Sequence, residues 1–280
     1  MSLSPLTLQL LCTLAGLLSL APTLAGAAED PSIAFYYGSK PPVEALSQFS
    51  QVVVQPATVT PPDLALLRRH GSEVFAYVSV SEVSQQQALT SDVRLRLGRN
   101  PLWDTVIMDV ANPGWRQKLV EQTVAPLWAR GFHAFFLDNL DSYQRAVRNP
   151  AQGAAQVQGL LQLLRELHAR FPKVKLLINR GFELLPQGSA LVVGLVAESL
   201  YQGWDPATRG YVQVSEPDRS RLLGQLRAAR EQYHLPLTVI DYVPHEDRER
   251  TRATARSIAA LGFIPWVSDH ALRSLGVGTL

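Results

Sequence analysis

The chain has 280 residues, with 26 Lys and Arg against 24 Asp and Glu, a formal charge of +2. The arginines are scattered over helix-like stretches with no basic stripe and no interleaved aromatics, which argues against a nucleic-acid binder. The only cysteine, Cys12, leaves no partner for a disulfide and no cysteine cluster for a metal.

Residues 1–27 hold no charged side chain. An apolar stretch over 6–20, followed by Ala25-Gly26-Ala27, is the pattern of a secretory signal peptide cleaved near Ala27, although its start lacks the usual Lys or Arg. The expectation is an exported protein, periplasmic or secreted. It is free of the membrane after cleavage, with a single domain over 28–280. That length suits a (β/α)8 barrel, which takes ~250 residues.

From there, short apolar runs alternate with longer amphipathic ones. The runs are 33–37, 52–54, 74–80, 106–110, 132–137, 174–178, 191–197, 237–240 and 263–267. Most are rich in Val, Ile, Phe and Tyr without alternation, as parallel strands buried on both faces should be. Helices are predicted over 62–70, 115–129, 156–170, 219–233 and 247–261, each ending at or just before a Gly or Pro. Repeated strand–helix units give an α/β fold with a parallel sheet. Nine runs exceed the eight of a barrel, and 106–110 is read as an extension within the third strand–helix connection.

In such a barrel, chemistry sits where strands end. Asp138 closes the run AFFLD and Glu198 closes LVVGLVAE. A carboxylate carried out of an apolar interior must be hydrogen-bonded, paired or neutralised. Two of them facing one cleft are the minimum apparatus of glycoside hydrolysis. The competing reading is a structural pair, each acid fixing a loop through backbone N–H groups. The six histidines show no HExxH or other zinc spacing, and no GxSxG, GxGxxG or P-loop occurs. No metal and no cofactor are expected.

The segments FAYVSVSEV (75–83), GFHAFFLDNLDSY (131–143), KLLINRGFELLP (175–186), VAESLYQGW (196–204), VIDYV (239–243) and ALGFIPWVSD (260–269) come in an order that resembles the endo-α-1,4-polygalactosaminidase-like glycoside hydrolases. The likeness is strongest to the amino-terminal hydrolase domains of bacterial Pel-polysaccharide hydrolase/deacetylases, and it spans 33 to about 269. The resemblance implies a (β/α)8 barrel and endo-cleavage of a galactosamine-containing polymer, with Asp138 and Glu198 as the catalytic acids. It also implies an exopolysaccharide setting, with secretion machinery as an expected partner. The chain carries no deacetylase region after this domain, so a stand-alone hydrolase is expected.

A de-N-acetylated galactosamine polymer is cationic. The strand ends are acid-rich, at Glu82, Asp138, Asp141, Glu198, Asp205, Asp241 and Asp269, which favours such a partner. Asp205 and Asp269 read equally well as turn or cap residues. Asp138 is the candidate nucleophile and Glu198 the candidate general acid/base. Tyr36, Tyr77, Tyr201, Trp204, Tyr242 and Trp266 are candidate sugar platforms. Asn139, Asp141, Asn179 and Asp241 are candidate partners for sugar hydroxyl or amino groups, and Arg180 is an alternative orienter of a catalytic acid. Two other readings stay open: a hydrolase of another α-linked polysaccharide, and a barrel that binds sugar without turnover.

Overall fold

The computed structural model describes residues 32–278, so the expected leader, 1–27, lies outside the described residues. Eight parallel strands carry the fold: β1 (Ile33–Tyr36), β2 (Gln51–Val54), β3 (Glu73–Ser79), β4 (Ala134–Asp138), β5 (Lys175–Asn179), β6 (Gly194–Glu198), β7 (Leu237–Tyr242) and β8 (Ile264–Ser268). Each pairs with the next in chain order. The result is a (β/α)8 barrel. After β8 the chain turns back as Val277–Gly278, antiparallel to β8. A Cβ on Gly278 would stand 3.4 Å from the Ile33 carbonyl and 3.1 Å from that of Pro265, so only a glycine fits without displacing backbone at the seam between β8 and β1.

The strands are apolar because both faces are covered. All four residues of β1 are buried, and all five of β8. Inside, Phe35 meets Phe136 edge-on at 5.4 Å, and such aromatic contacts contribute beyond simple burial. The ninth run occupies Thr105–Met108, paired antiparallel with Glu82–Ser84 and Arg96–Asn100. This three-stranded sheet is inserted between β3 and β4, where the extra apolar run was expected to lie.

Three of the long helices begin upstream of their expected positions, because the caps lie upstream. Asn149 caps Pro150–Arg170 by accepting from Gln152 N, and Ser215 caps Glu216–Tyr233 by accepting from Asp218 N. Proline in the first turn, where no N–H is needed, extends both. The third spans Pro113–Leu119, a π-helical turn Val120–Val124, and Ala125–Ala129. Pro126 lacks the N–H that a regular helix would use there, and Ala125 N bonds back five residues to Val120 O. After β5 the repeat has no long helix, only the short turns Phe182–Leu184, Leu185–Gly188 and Ser189–Leu191.

Candidate active site

Three consecutive strands end in polar residues. Asp138 ends β4, Asn179 ends β5 and Glu198 ends β6. Because β5 lies between β4 and β6, Asn179 stands between the two acids. Its Nδ2 donates to Asp138 Oδ1 at 2.8 Å and to Glu198 Oε1 at 2.6 Å. The two hydrogens of an amide diverge by about 120°, which puts these carboxylate oxygens about 4.7 Å apart.

Each acid is also held from outside. Tyr77, on β3, donates to Asp138 Oδ2 at 2.8 Å, and the Asn139 N–H donates to Asp138 Oδ1 at 2.8 Å. Tyr242, ending β7, donates to Glu198 Oε2 at 2.5 Å. Burial, and after it the charge of Glu198, pushes the Asp138 carboxyl up to about 6, against the pull of its three donors. The same burial raises the Tyr37, Tyr77 and Tyr242 phenols well above their ordinary range, so Tyr77 and Tyr242 keep the protons they donate to the two acids.

The residue after each of the three strand ends adopts a left-handed backbone: Asn139 (φ 63°), Arg180 (φ 55°) and Ser199 (φ 64°). Such a conformation is uncommon outside glycine. It lets the chain turn away at once, and at Arg180 and Ser199 the ladder still gains one more bond. Arg180 N donates to Val196 O and Ser199 N to Ile240 O. Side chains fasten the turns: Asn139 Nδ2 donates to Ser79 Oγ, and the Arg180 guanidinium donates to the main-chain oxygen of Glu198. Arg180 therefore fixes the strand end that bears Glu198, where the sequence suggested a contact with the acid itself.

Above the pair opens a cleft of about 760 Å³. Asp138, Glu198, Asn139, Asp141, Asn179, Tyr77 and Tyr242 all line it. Burial raises the Asp141 carboxyl, and the neighbouring Arg180 opposes the rise. The tyrosines at 77 and 242 are placed as carboxylate partners, their hydroxyls already bound. Trp204 stands behind the wall, stacked on His270 at 3.6 Å, and it is His270 that reaches the cleft.

Besides Trp204, four expected contacts are corrected. Tyr36 turns away from the cleft and donates to Lys40 O, while Tyr37, one residue on, lines the cleft edge-on to Tyr77. A one-residue step reverses the face of a strand. Asp241 is fully buried and accepts from the N–H groups of Leu200, Tyr201 and Gln202, so it holds the loop after β6. Burial lifts its carboxyl to about 7 against those three donors. Trp266 is fully buried beside Phe49, level with Ile240 and two residues below the strand end. Tyr201 lies outside the cleft lining, under the Arg219 guanidinium at 5.5 Å. Asp205 and Asp269 accept from their own turns, the alternative weighed for them.

Sequence reasoning passed over Trp103 and Arg145, which also line the cleft. Trp103 sits in a Pro-Leu-Trp-Asp turn between two strands of the inserted sheet. Apolar residues placed among turn formers were the available signal. Among the described residues, no group of three His, Cys, Asp or Glu is arranged to hold a metal, and no helix is long and apolar enough to cross a membrane.

The sequence profile of glycoside-hydrolase family GH114 matches residues 21–279. The glycoside hydrolase domain of PelA from Pseudomonas aeruginosa is 38% identical, with a TM-score of 0.81 over 88% of this chain and 97% of that one. Ega3 from Aspergillus fumigatus, solved in complex with galactosamine, shares the fold at 13% identity, with a TM-score of 0.67 over 89% of this chain and 95% of that one. Trehalose-6-phosphate hydrolase from Bacillus licheniformis shares it more distantly, at 8% identity and a TM-score of 0.59, over 86% of this chain and 64% of that one. No curated protein matches the chain.

Proposed function

The chain belongs to glycoside-hydrolase family GH114, and from that premise we propose that it is an exported endo-hydrolase of an α-1,4-linked galactosamine polymer that retains anomeric configuration. The observation that carries the reading is the Asn179 amide shared between Asp138 and Glu198. Retaining enzymes need carboxyl groups ~5–5.5 Å apart, whereas inverting ones leave ~6.5–9.5 Å for a water. Two oxygens bonded to one nitrogen support the shorter class.

In this reading Asp138 attacks the anomeric carbon. Its Oδ2 carries one donor, Tyr77, and keeps a lone pair for the attack, while Oδ1 is occupied by Asn139 and Asn179. Glu198 donates its proton to the departing glycosidic oxygen. The glycosyl–Asp138 ester forms as the glycosidic bond breaks; Glu198, now ionised, then takes a proton from an incoming water whose oxygen bonds the anomeric carbon and releases Asp138 as a carboxylate. Tyr242 holds Glu198 through both steps.

The substrate class rests on the family resemblance and on charge. Asp141 faces the cleft and takes no side-chain hydrogen bond from another of the described residues, so its carboxylate is free for a sugar ammonium group. Export rests on the leader pattern of residues 1–27. A secretion-machinery partner rests on the resemblance alone.

The test uses the purified chain and a partly deacetylated α-1,4-galactosamine polymer, with released oligosaccharides followed by mass spectrometry. Wild type should release products with retained anomeric configuration by NMR. Asp138→Asn and Glu198→Gln should release almost none. Inverted product would refute the retaining assignment, and undiminished product from either variant would refute the site.

A further inference from the structure

The cleft does not stop at the carboxylates. It runs onto the inserted antiparallel sheet, where Trp103 lines it with 57% of its surface in solvent. The tip that bears it joins Arg96–Asn100 to Thr105–Met108, and Asn100 and Thr105 face each other at its base. A tryptophan left in water at a hairpin tip gains little for folding, and one that lines the catalytic cleft offers a broad apolar face there.

The mounting of this tip supports that view. Both of its feet hydrogen-bond one buried carboxylate. Asn100 Nδ2 donates to Glu82 Oε1 at 3.0 Å, and the Thr105 hydroxyl donates to Glu82 Oε2. A third donor, Ser142 Oγ at 2.5 Å, comes from the loop that leaves Asp138. Glu82 is 8% exposed, and among the described residues its carboxylate takes hydrogen bonds from these three side chains. A buried acid is tolerated only when its lone pairs are met, and here meeting them locks the Trp103 tip to the catalytic loop.

We infer that Trp103 is a distal sugar subsite, on which a hexosamine unit of the polymer stacks while another unit's bond lies between Asp138 and Glu198. The inference rests on the proposed substrate. The indole takes the C–H face of the ring, and an unacetylated unit adds attraction between its ammonium group and the π face. Glu82 is a positioning residue for this platform.

The experiment compares kcat and KM for α-1,4-galactosamine oligosaccharides of increasing length, using wild type, Trp103→Ala and Trp103→Phe. For the longest substrates, Trp103→Ala should raise KM about two- to tenfold, the range of one aromatic contact, with kcat unchanged. The shortest cleaved substrate should show no change, and Trp103→Phe should recover most of the loss. An unchanged KM on long substrates would overturn the subsite. So would an equal loss at every length, which would mean that the tip only supports the catalytic centre. Failure of wild type to cleave any member of the series would overturn the proposed substrate, and the subsite with it.

Discussion

Replacing Asn179 by alanine should separate two acids that one amide now reconciles. At about 4.7 Å and an effective dielectric of 20, two carboxylates repel by about 3.5 kcal/mol. Against this the amide supplies two hydrogen bonds to charged groups, worth about 1.5–3 kcal/mol each. The two figures nearly cancel, so the amide offsets most of the repulsion that two acids this close can exert. Without the amide, the Asp138 carboxyl, already raised to about 6, rises further, because the Asn179 bond is among the influences holding it down. One bond of that strength corresponds to about one to two pH units. A nucleophile must be ionised, so the acid limb of kcat/KM should move to higher pH by that amount. At neutral pH the rate should fall by about a hundredfold, given a loss of about 3 kcal/mol in the transition state. The assay is a pH profile of kcat/KM for wild type and Asn179→Ala, with circular dichroism to verify folding. A folded variant whose acid limb stays in place would refute the clamp. Activity lost as pH rises through about 6 in wild type would instead make Asp138 the acid.

Two further outcomes follow from buried acids. The folded-state value of Asp138, about 6, exceeds the ordinary 3.8, so the folded chain binds the extra proton between those values and stability falls as pH rises through that window. Asp138→Asn removes that cost, and thermal melts at pH 7.5 should show the variant more stable by about 1–3 kcal/mol, with the advantage gone near pH 4. A variant melting below wild type at pH 7.5 would contradict this. Asp241→Asn relieves a buried charge of the same kind but sets an amide NH2 against backbone N–H donors, so its melt should fall most near pH 4, where no charge is relieved, by about 1–3 kcal/mol or about 2–12 °C. An unchanged melt there would mean that the loop after β6 does not depend on it.

The strand ends were legible because a barrel buries its strands on both faces, so an acid that follows an apolar run announces where the run leaves the core. That same burial hid which way neighbouring residues face. A strand with one wet side would have sorted Tyr36 from Tyr37 and Asp241 from Tyr242 by alternation; here both faces are apolar and the pattern is silent. Trp266 read as a strand-end aromatic because it lies next to the close of the apolar run at 267, whereas the ladder runs on to Ser268. The extra sheet escaped full description for another reason. Arg96–Asn100 is neither apolar nor regular, carries a register shift, and is held by its partners, so nothing local marks it as a strand.

The three left-handed turns after Asp138, Asn179 and Glu198 set unequal terms for change at the two rims of the barrel. Glycine would relax any of them, but at 139 and 180 it would also remove a side chain that fastens the cleft. Thermal robustness therefore cannot be gained cheaply at this rim without loosening what it holds. At the opposite rim the same backbone conformation occurs at His234, the residue that stops Glu216–Tyr233, where no cleft contact is at stake. That position is open to the glycine that helix ends favour. A lineage, or an engineer, seeking a hardier form of this barrel has its freedom on the floor, while the mouth is committed to holding three polar side chains in register.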